Sequence, residues 1–160
     1  MRDVELIIHL NNLAQPIEVS HAMRRAKIDA YAYAFVTDEG VIKYGESSDG
    51  STTPGERIYR QAGHLPGWSK RPKSSSGAEM QLLAEDFNDK YNRVLHKDTV
   101  SILVYRAENK ADAVELERDL INEIMLLCGR APMGNRDPKT KKKQRSLANQ
   151  ARLNQLFDFS

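Results

Sequence analysis

Aromatic residues and alanines alternate at the start of the stretch from Ala30 to Gly45, AYAYAFVTDEGVIKYG. Residues 30–37 read as a strand, Asp38-Glu39-Gly40 as a turn, and residues 41–45 as a second, shorter strand. Strand alternation puts Tyr31, Tyr33 and Phe35 on one face and the alanines between them on the other. With a three-residue loop, Gly40 takes the left-handed position of a type I turn plus bulge. Thr37 then pairs with Val41 and Phe35 with Lys43. Tyr33 becomes the diagonal neighbour of Lys43 on one face, about 7–8 Å away between backbones. A two-residue loop is expected to shift that register and part the two side chains. A third strand runs from Thr99 to Tyr105, TVSILVY, with Val100, Ile102 and Val104 on one face and Thr99, Ser101, Leu103 and Tyr105 on the other.

Helical spacing accounts for most of the rest. Thr53, Pro54 and Glu56 make an N-cap, first-turn proline and capping box for a short helix that stops at Gly63. Arg57 and Gln61 lie one turn apart on it, with Arg60 adjacent and His64 just beyond. Ser76 and Glu79 form a second capping box, ahead of a helix whose apolar stripe is Met80, Leu83, Phe87 and Val94. A long helix follows from about Lys110 to Leu127. Its row Val114, Glu117, Ile121, Ile124 is apolar except for Glu117, with Leu116 and Leu120 beside it. An inward carboxylate is costly unless it meets a cation, a metal or a hydrogen-bond donor. By periodicity alone, a structural ion pair or a stripe margin is the leading explanation. In residues 1–28, Val4 to Leu10 fits a strand or a helical turn, and Pro16 to Lys27 reads as a helix closed by Arg24, Arg25 and Lys27.

The expected architecture is α+β: a small three-stranded antiparallel sheet flanked by helices. Residues 1–29 form an N-terminal extension, 30–137 the core and 138–160 a basic C-terminal tail. A chain of 160 residues fits one domain that buries roughly two thirds of its unfolded surface. The single cysteine, Cys128, excludes an internal disulfide and a Cys-rich zinc site, and it fits a reducing compartment. No apolar run approaches the roughly 20 residues of a membrane span, and the N-terminus does not read as a signal peptide, so an intracellular, cytoplasmic location is expected.

The formal net charge of +2 hides clusters that say more than the total. Leu65 to Ser75 carries Lys70, Arg71 and Lys73 around Trp68. It reads equally as a loop along a nucleic-acid backbone or as a flexible basic loop with Trp68 tucked against the core. Lys139 to Arg145 holds Lys141, Lys142 and Lys143 among its cations, a pattern that suits either a solubilising tail or salt-sensitive phosphate contact.

The ordered set of hairpin, arginine helix, helix, strand, glutamate helix and downstream asparagine resembles the GIY-YIG nuclease superfamily, over roughly residues 30–135. The first motif is matched by Tyr31-Ala32-Tyr33, which keeps its tyrosine as Tyr33. The second is matched by Lys43-Tyr44-Gly45, which keeps Gly45 and has lysine in place of its first tyrosine, as some restriction-enzyme members do. Arg57 in GERIYRQ matches the helix arginine, with Arg60 as the competing register. Glu117 in ELERDLI matches the glutamate, and Asn135 in APMGN the asparagine.

The resemblance implies a metal-dependent endonuclease of restriction or homing type, acting on double-stranded DNA, with a homodimer as one arrangement. Tyr33 would be general base, its ionisation favoured by the Lys43 ammonium. Arg57 would hold the scissile phosphate. Glu117 would anchor one Mg2+, with Mn2+ as substitute. Asn135 would fix geometry. His64 is a secondary catalytic candidate, and Tyr44 and Arg60 join the basic residues as nucleic-acid contacts. Two other readings keep the same elements: a catalytically silent nucleic-acid-binding domain, and a small α/β interaction domain with a structural Glu117–Arg57 bridge.

Overall fold

A computed structural model describes residues 3–48, 55–68 and 75–136. The fold is α+β. Strands β1 (Leu6–His9), β2 (Ala30–Thr37), β3 (Gly40–Glu46) and β4 (Ser101–Ala107) form one antiparallel sheet in the order β1-β4-β2-β3. Helices α1 (Glu18–Arg25), α2 (Glu56–Gly63) and α3 (Ser75–Tyr91) cover one face, and α4 (Lys110–Cys128) covers the other.

The sheet has four strands, one more than expected. Leu6 to His9 pairs with β4 from Val104 to Ser101, so part of the segment read as an extension becomes an edge strand. The short apolar run is ambiguous in sequence because its pairing partner lies almost a hundred residues away. Residues 1–2, 49–54, 69–74 and 137–160 lie outside the described structure. With them lie the Thr53 cap, Lys70, Arg71 and Lys73, and the tail cations Lys141, Lys142 and Lys143.

Alternation in β2 is what builds the two layers. Tyr31, Tyr33 and Phe35 enter the larger core with Met23, Ile58, Met80 and Phe87, and Tyr33 meets Phe35 edge to face at 5.7 Å between ring centroids. Ala32 and Ala34 face α4, where their small side chains leave room for Ala113, Leu116 and Leu120. β4 divides as expected: Val100, Ile102 and Val104 are in the larger core, and Leu103 and Tyr105 are on the α4 side. Asn109 starts α4 by accepting from Asp112 N at 2.8 Å, while Asp112 accepts from Glu108 N.

The hairpin reaches the expected pairing by a different route. Gly40, with φ +97°, pairs with Thr37 across a two-residue turn, and Val36 pairs with Val41. An irregularity then inserts Ile42 as an extra residue, so Phe35 faces Lys43 after all. The three-residue loop is thus corrected, while the pairing that puts Tyr33 and Lys43 on one face stands.

Two helical details also differ. Val94 lies beyond the end of α3 and is exposed, because the helix stops at Tyr91 and Asn92 takes a positive φ. On α4 the buried row is Ala113, Leu116 and Leu120. Val114 is exposed and Glu117 sits at the margin of the row. Among the described residues no helix is long and apolar enough to cross a membrane.

Candidate functional site

The centre of the site is the ring of Tyr33, fully buried on β2. Gly45 lies directly opposite on β3, and the ring crosses it so closely that a Cβ there would fall 2.2 Å from Tyr33 Cζ and 2.3 Å from its hydroxyl oxygen. Glycine at 45 is therefore required by close approach. The hydroxyl donates to Gln61 Oε1 at 2.7 Å, and Gln61 is also buried. Arg57, one turn earlier on α2, is partly buried with its guanidinium beside the phenol. Gly45→Ala is expected to push the ring off Gln61 and to lower stability by about 1–3 kcal/mol, the cost of overpacking a filled core. Urea unfolding of the two proteins measures it. An unchanged midpoint would mean the ring relocates freely.

Electrostatics reverse one expectation. Burial raises the Tyr33 pKa well above the ordinary phenol value, further than the neighbouring Arg57 lowers it. Tyr33 is a neutral phenol in this structure, and the cation that favours its ionisation is Arg57. Lys43 is buried, and its Nζ pairs at 2.6 Å with Glu79 Oε1 from the first turns of α3. The ammonium expected to tune Tyr33 is spent on that carboxylate.

Glu117 reaches the same neighbourhood from α4. Its pKa is raised, first by burial and next by the carboxylate of Glu46 at the end of β3. Lys43 and Arg57 pull it down, and Glu79 adds to the rise. Tyr33, Lys43, Arg57 and Glu117 thus sit on four different elements, linked through Arg57 and Glu117 by charge. Glu117 and Glu46 offer hard oxygen donors of the kind Mg2+ takes, and that ion keeps several waters and needs only one or two carboxylates. The donor set fits such an ion. Among the described residues no group of three or more His, Cys, Asp or Glu side chains could hold a metal.

Asn135 is tied to β3 through both ends of its amide. Its Oδ1 accepts from Tyr44 N at 2.6 Å and its Nδ2 donates to Tyr44 O at 2.8 Å. The amide behaves like a residue of a further strand and satisfies the outer edge of β3. Tyr44 itself is buried on the α4 face, where burial, Tyr105 and Glu123 push its pKa up to about 12. As a side chain it packs a core and is not placed for surface contact with nucleic acid.

Between the two arginines, Arg57 is the one beside Tyr33. Arg60 points outward and pairs with Glu56 one turn back. His64 follows α2 with Nδ1 buried and without a hydrogen-bond partner among the described residues, and none of the interactions found at Tyr33 or Glu117 involves it. Trp68 packs against the larger core under the Lys97 ammonium, 4.9 Å from its ring centroid, as the core-packing reading of that loop expects.

Sequence reasoning gave no role at the site to Gln61, Glu46 or Glu79. Gln61 had a usable signal, since it lies four residues after Arg57. Glu46 shares the face of Tyr44 by alternation, which pointed it toward α4. Glu79 reads in the sequence as the partner of Ser76 in a capping box. Comparisons with protein-family models, with curated proteins and with solved structures found no match to this chain.

Proposed function

We propose that this chain is a metal-dependent DNA endonuclease of GIY-YIG type. The observation that carries the reading is convergence. The tyrosine, lysine, arginine and glutamate singled out by the motifs stand on β2, β3, α2 and α4, yet Arg57 acts on Tyr33 and both Lys43 and Arg57 act on Glu117. The matched asparagine braces the strand that carries Lys43 and Gly45.

Arg57 holds the scissile phosphate, its planar fork matching two oxygens. Lys43, resting on Glu79 in the free protein, is a second cation for that phosphate. Glu117, with Glu46 beside it, would hold one Mg2+, and that ion when bound supplies Lewis acidity at the leaving oxygen. Tyr33 takes the proton of the attacking water once it has lost its own. Its high pKa makes the phenolate a strong base and also a scarce one at neutral pH.

One observation favours a second reading, a catalytically silent nucleic-acid-binding domain on the same scaffold. Tyr33 is sealed from solvent and its proton is committed to Gln61. Supercoiled plasmid incubated with protein and Mg2+, beside an EDTA control, separates the two. The nuclease produces nicked circles in the Mg2+ lane alone. Salt-sensitive retardation with no nicking under Mg2+ or Mn2+ would leave the binding reading.

A further inference from the structure

Beside the candidate centre, on the outer edge of β3, a recess of about 190 Å³ opens between the end of α3, the end of α4 and the loop before Asn135. Val41, Ile42, Tyr91 and Pro132 form part of its wall, and Lys90, Arg130 and Arg136 line it. These three cations come from three separate segments. Among the described residues none has a carboxylate within salt-bridge distance. The one acidic side chain in the lining, Glu39, is already paired with Arg93. Several cations elsewhere in the fold have a partner: Arg60 has Glu56, Arg93 has Asp38, and Lys97 has Asp98. Three unneutralised cations around one concavity raise the local potential and concentrate an anion there.

The recess and the centre share β3. Ile42 lines the recess, and the next residue, Lys43, pairs with Glu79 of α3. Asn135 locks this strand, and Arg136 directly follows it. An anion held by Arg130 and Arg136 is therefore fixed relative to the centre through the same short braced segment.

We infer that this recess binds the phosphodiester backbone of DNA beside the scissile phosphate, with Lys90, Arg130 and Arg136 as the contacts. The inference rests on the nuclease reading and assigns the path of the strand that leaves its centre. Two guanidiniums and one ammonium match phosphate oxygens, and the contact carries no base recognition. Each phosphate neutralised releases counterions, so the recess contributes a definite share of the salt dependence.

The test is fluorescence anisotropy of a short labelled duplex, titrated at several salt concentrations in EDTA, where no cleavage interferes. The triple variant Lys90→Ala, Arg130→Ala, Arg136→Ala is expected to bind roughly tenfold or more weakly. The slope of log K against log salt should flatten by about 2 to 3, near 0.9 per lost phosphate contact. Its thermal unfolding should match the wild type. The charge-keeping variant Lys90→Arg, Arg130→Lys, Arg136→Lys should restore the slope, which a packing defect would not do. An unchanged slope in a natively folded triple alanine variant overturns the inference. So does competition by inorganic phosphate at concentrations that only a dedicated free-anion site would respond to. A flattened slope in a protein that never nicks plasmid keeps this backbone contact and removes the enzyme. A wild type that binds no duplex removes both.

Discussion

Glu117→Gln is expected to abolish Mg2+-dependent cleavage and, without metal, to make the folded protein more stable. On the proposed nuclease reading, glutamine removes the carboxylate that would anchor Mg2+, and such an ion as a Lewis acid would be worth several kcal/mol, on the order of a thousandfold in rate. The stability effect has the opposite sign. Folding raises the Glu117 pKa above its ordinary 4.5, chiefly by burial and next by Glu46. The folded state thus favours the protonated acid. The stability this group contributes is present below the ordinary carboxylate range and is lost as pH rises through the raised value. At neutral pH the carboxylate is a burden that glutamine removes. The side chain is half exposed, so screening keeps the gain small, roughly 1–2 °C in Tm. Mg2+ should raise the Tm of the wild type and leave the variant unmoved. Thermal unfolding at pH 7 with EDTA and then with Mg2+, beside the plasmid assay, reads both effects. A variant less stable than wild type in EDTA would make Glu117 a structural ion-pair partner, and retained cleavage would remove it as the ligand.

The elements of this fold were legible where a period repeats over many residues. The β2 alternation, the facing of β4 and the length of α4 follow directly from apolar spacing. β1 was not, because four residues of strand look like one turn of helix until β4 pairs with them. The hairpin shows how a correct pairing can rest on a wrong loop. A tighter turn at Gly40 shifts the register by one residue, and the extra residue at Ile42 shifts it back. Sequence periodicity cannot see a bulge that leaves both ends of the strand in phase. For the candidate site, the sequence names residues but not the contacts between them. Lys43 and Tyr33 do share a face, but which cation meets which anion depends on where α3 sets Glu79 and where α2 sets Arg57. Those placements are tertiary, and no local spacing encodes them. Glu117 stands out on an apolar row, and the structure puts it at the edge of that row, where a partly buried carboxylate still reaches solvent.

Tyr33→Phe is expected to lose cleavage by roughly 100-fold or more, the worth of a general base, while keeping DNA affinity. The wild-type pH profile tests the same residue without mutation. Because folding raises the phenol pKa above 10, the ionised fraction stays small throughout the neutral range. The log of kcat/KM should then climb by about one per pH unit up to the alkaline limit of the assay, with no plateau near neutrality. A plateau there would transfer the base role to another group. Stability carries a second, independent signature. A raised phenol pKa contributes stability that is present below about pH 10 and is lost as pH rises above it, so wild type should weaken at alkaline pH more than the phenylalanine variant does. At neutral pH the order reverses. The phenylalanine variant leaves Gln61 Oε1 buried without its donor, at a cost of about 1–3 kcal/mol in urea unfolding. Adding Gln61→Leu to that variant should recover most of the loss, since removing both partners of a buried hydrogen bond costs far less than removing one. If the double variant is no more stable than Tyr33→Phe alone, the Tyr33–Gln61 bond is not what holds the ring over Gly45, and the pocket is maintained by ring packing against Tyr31 and Phe35.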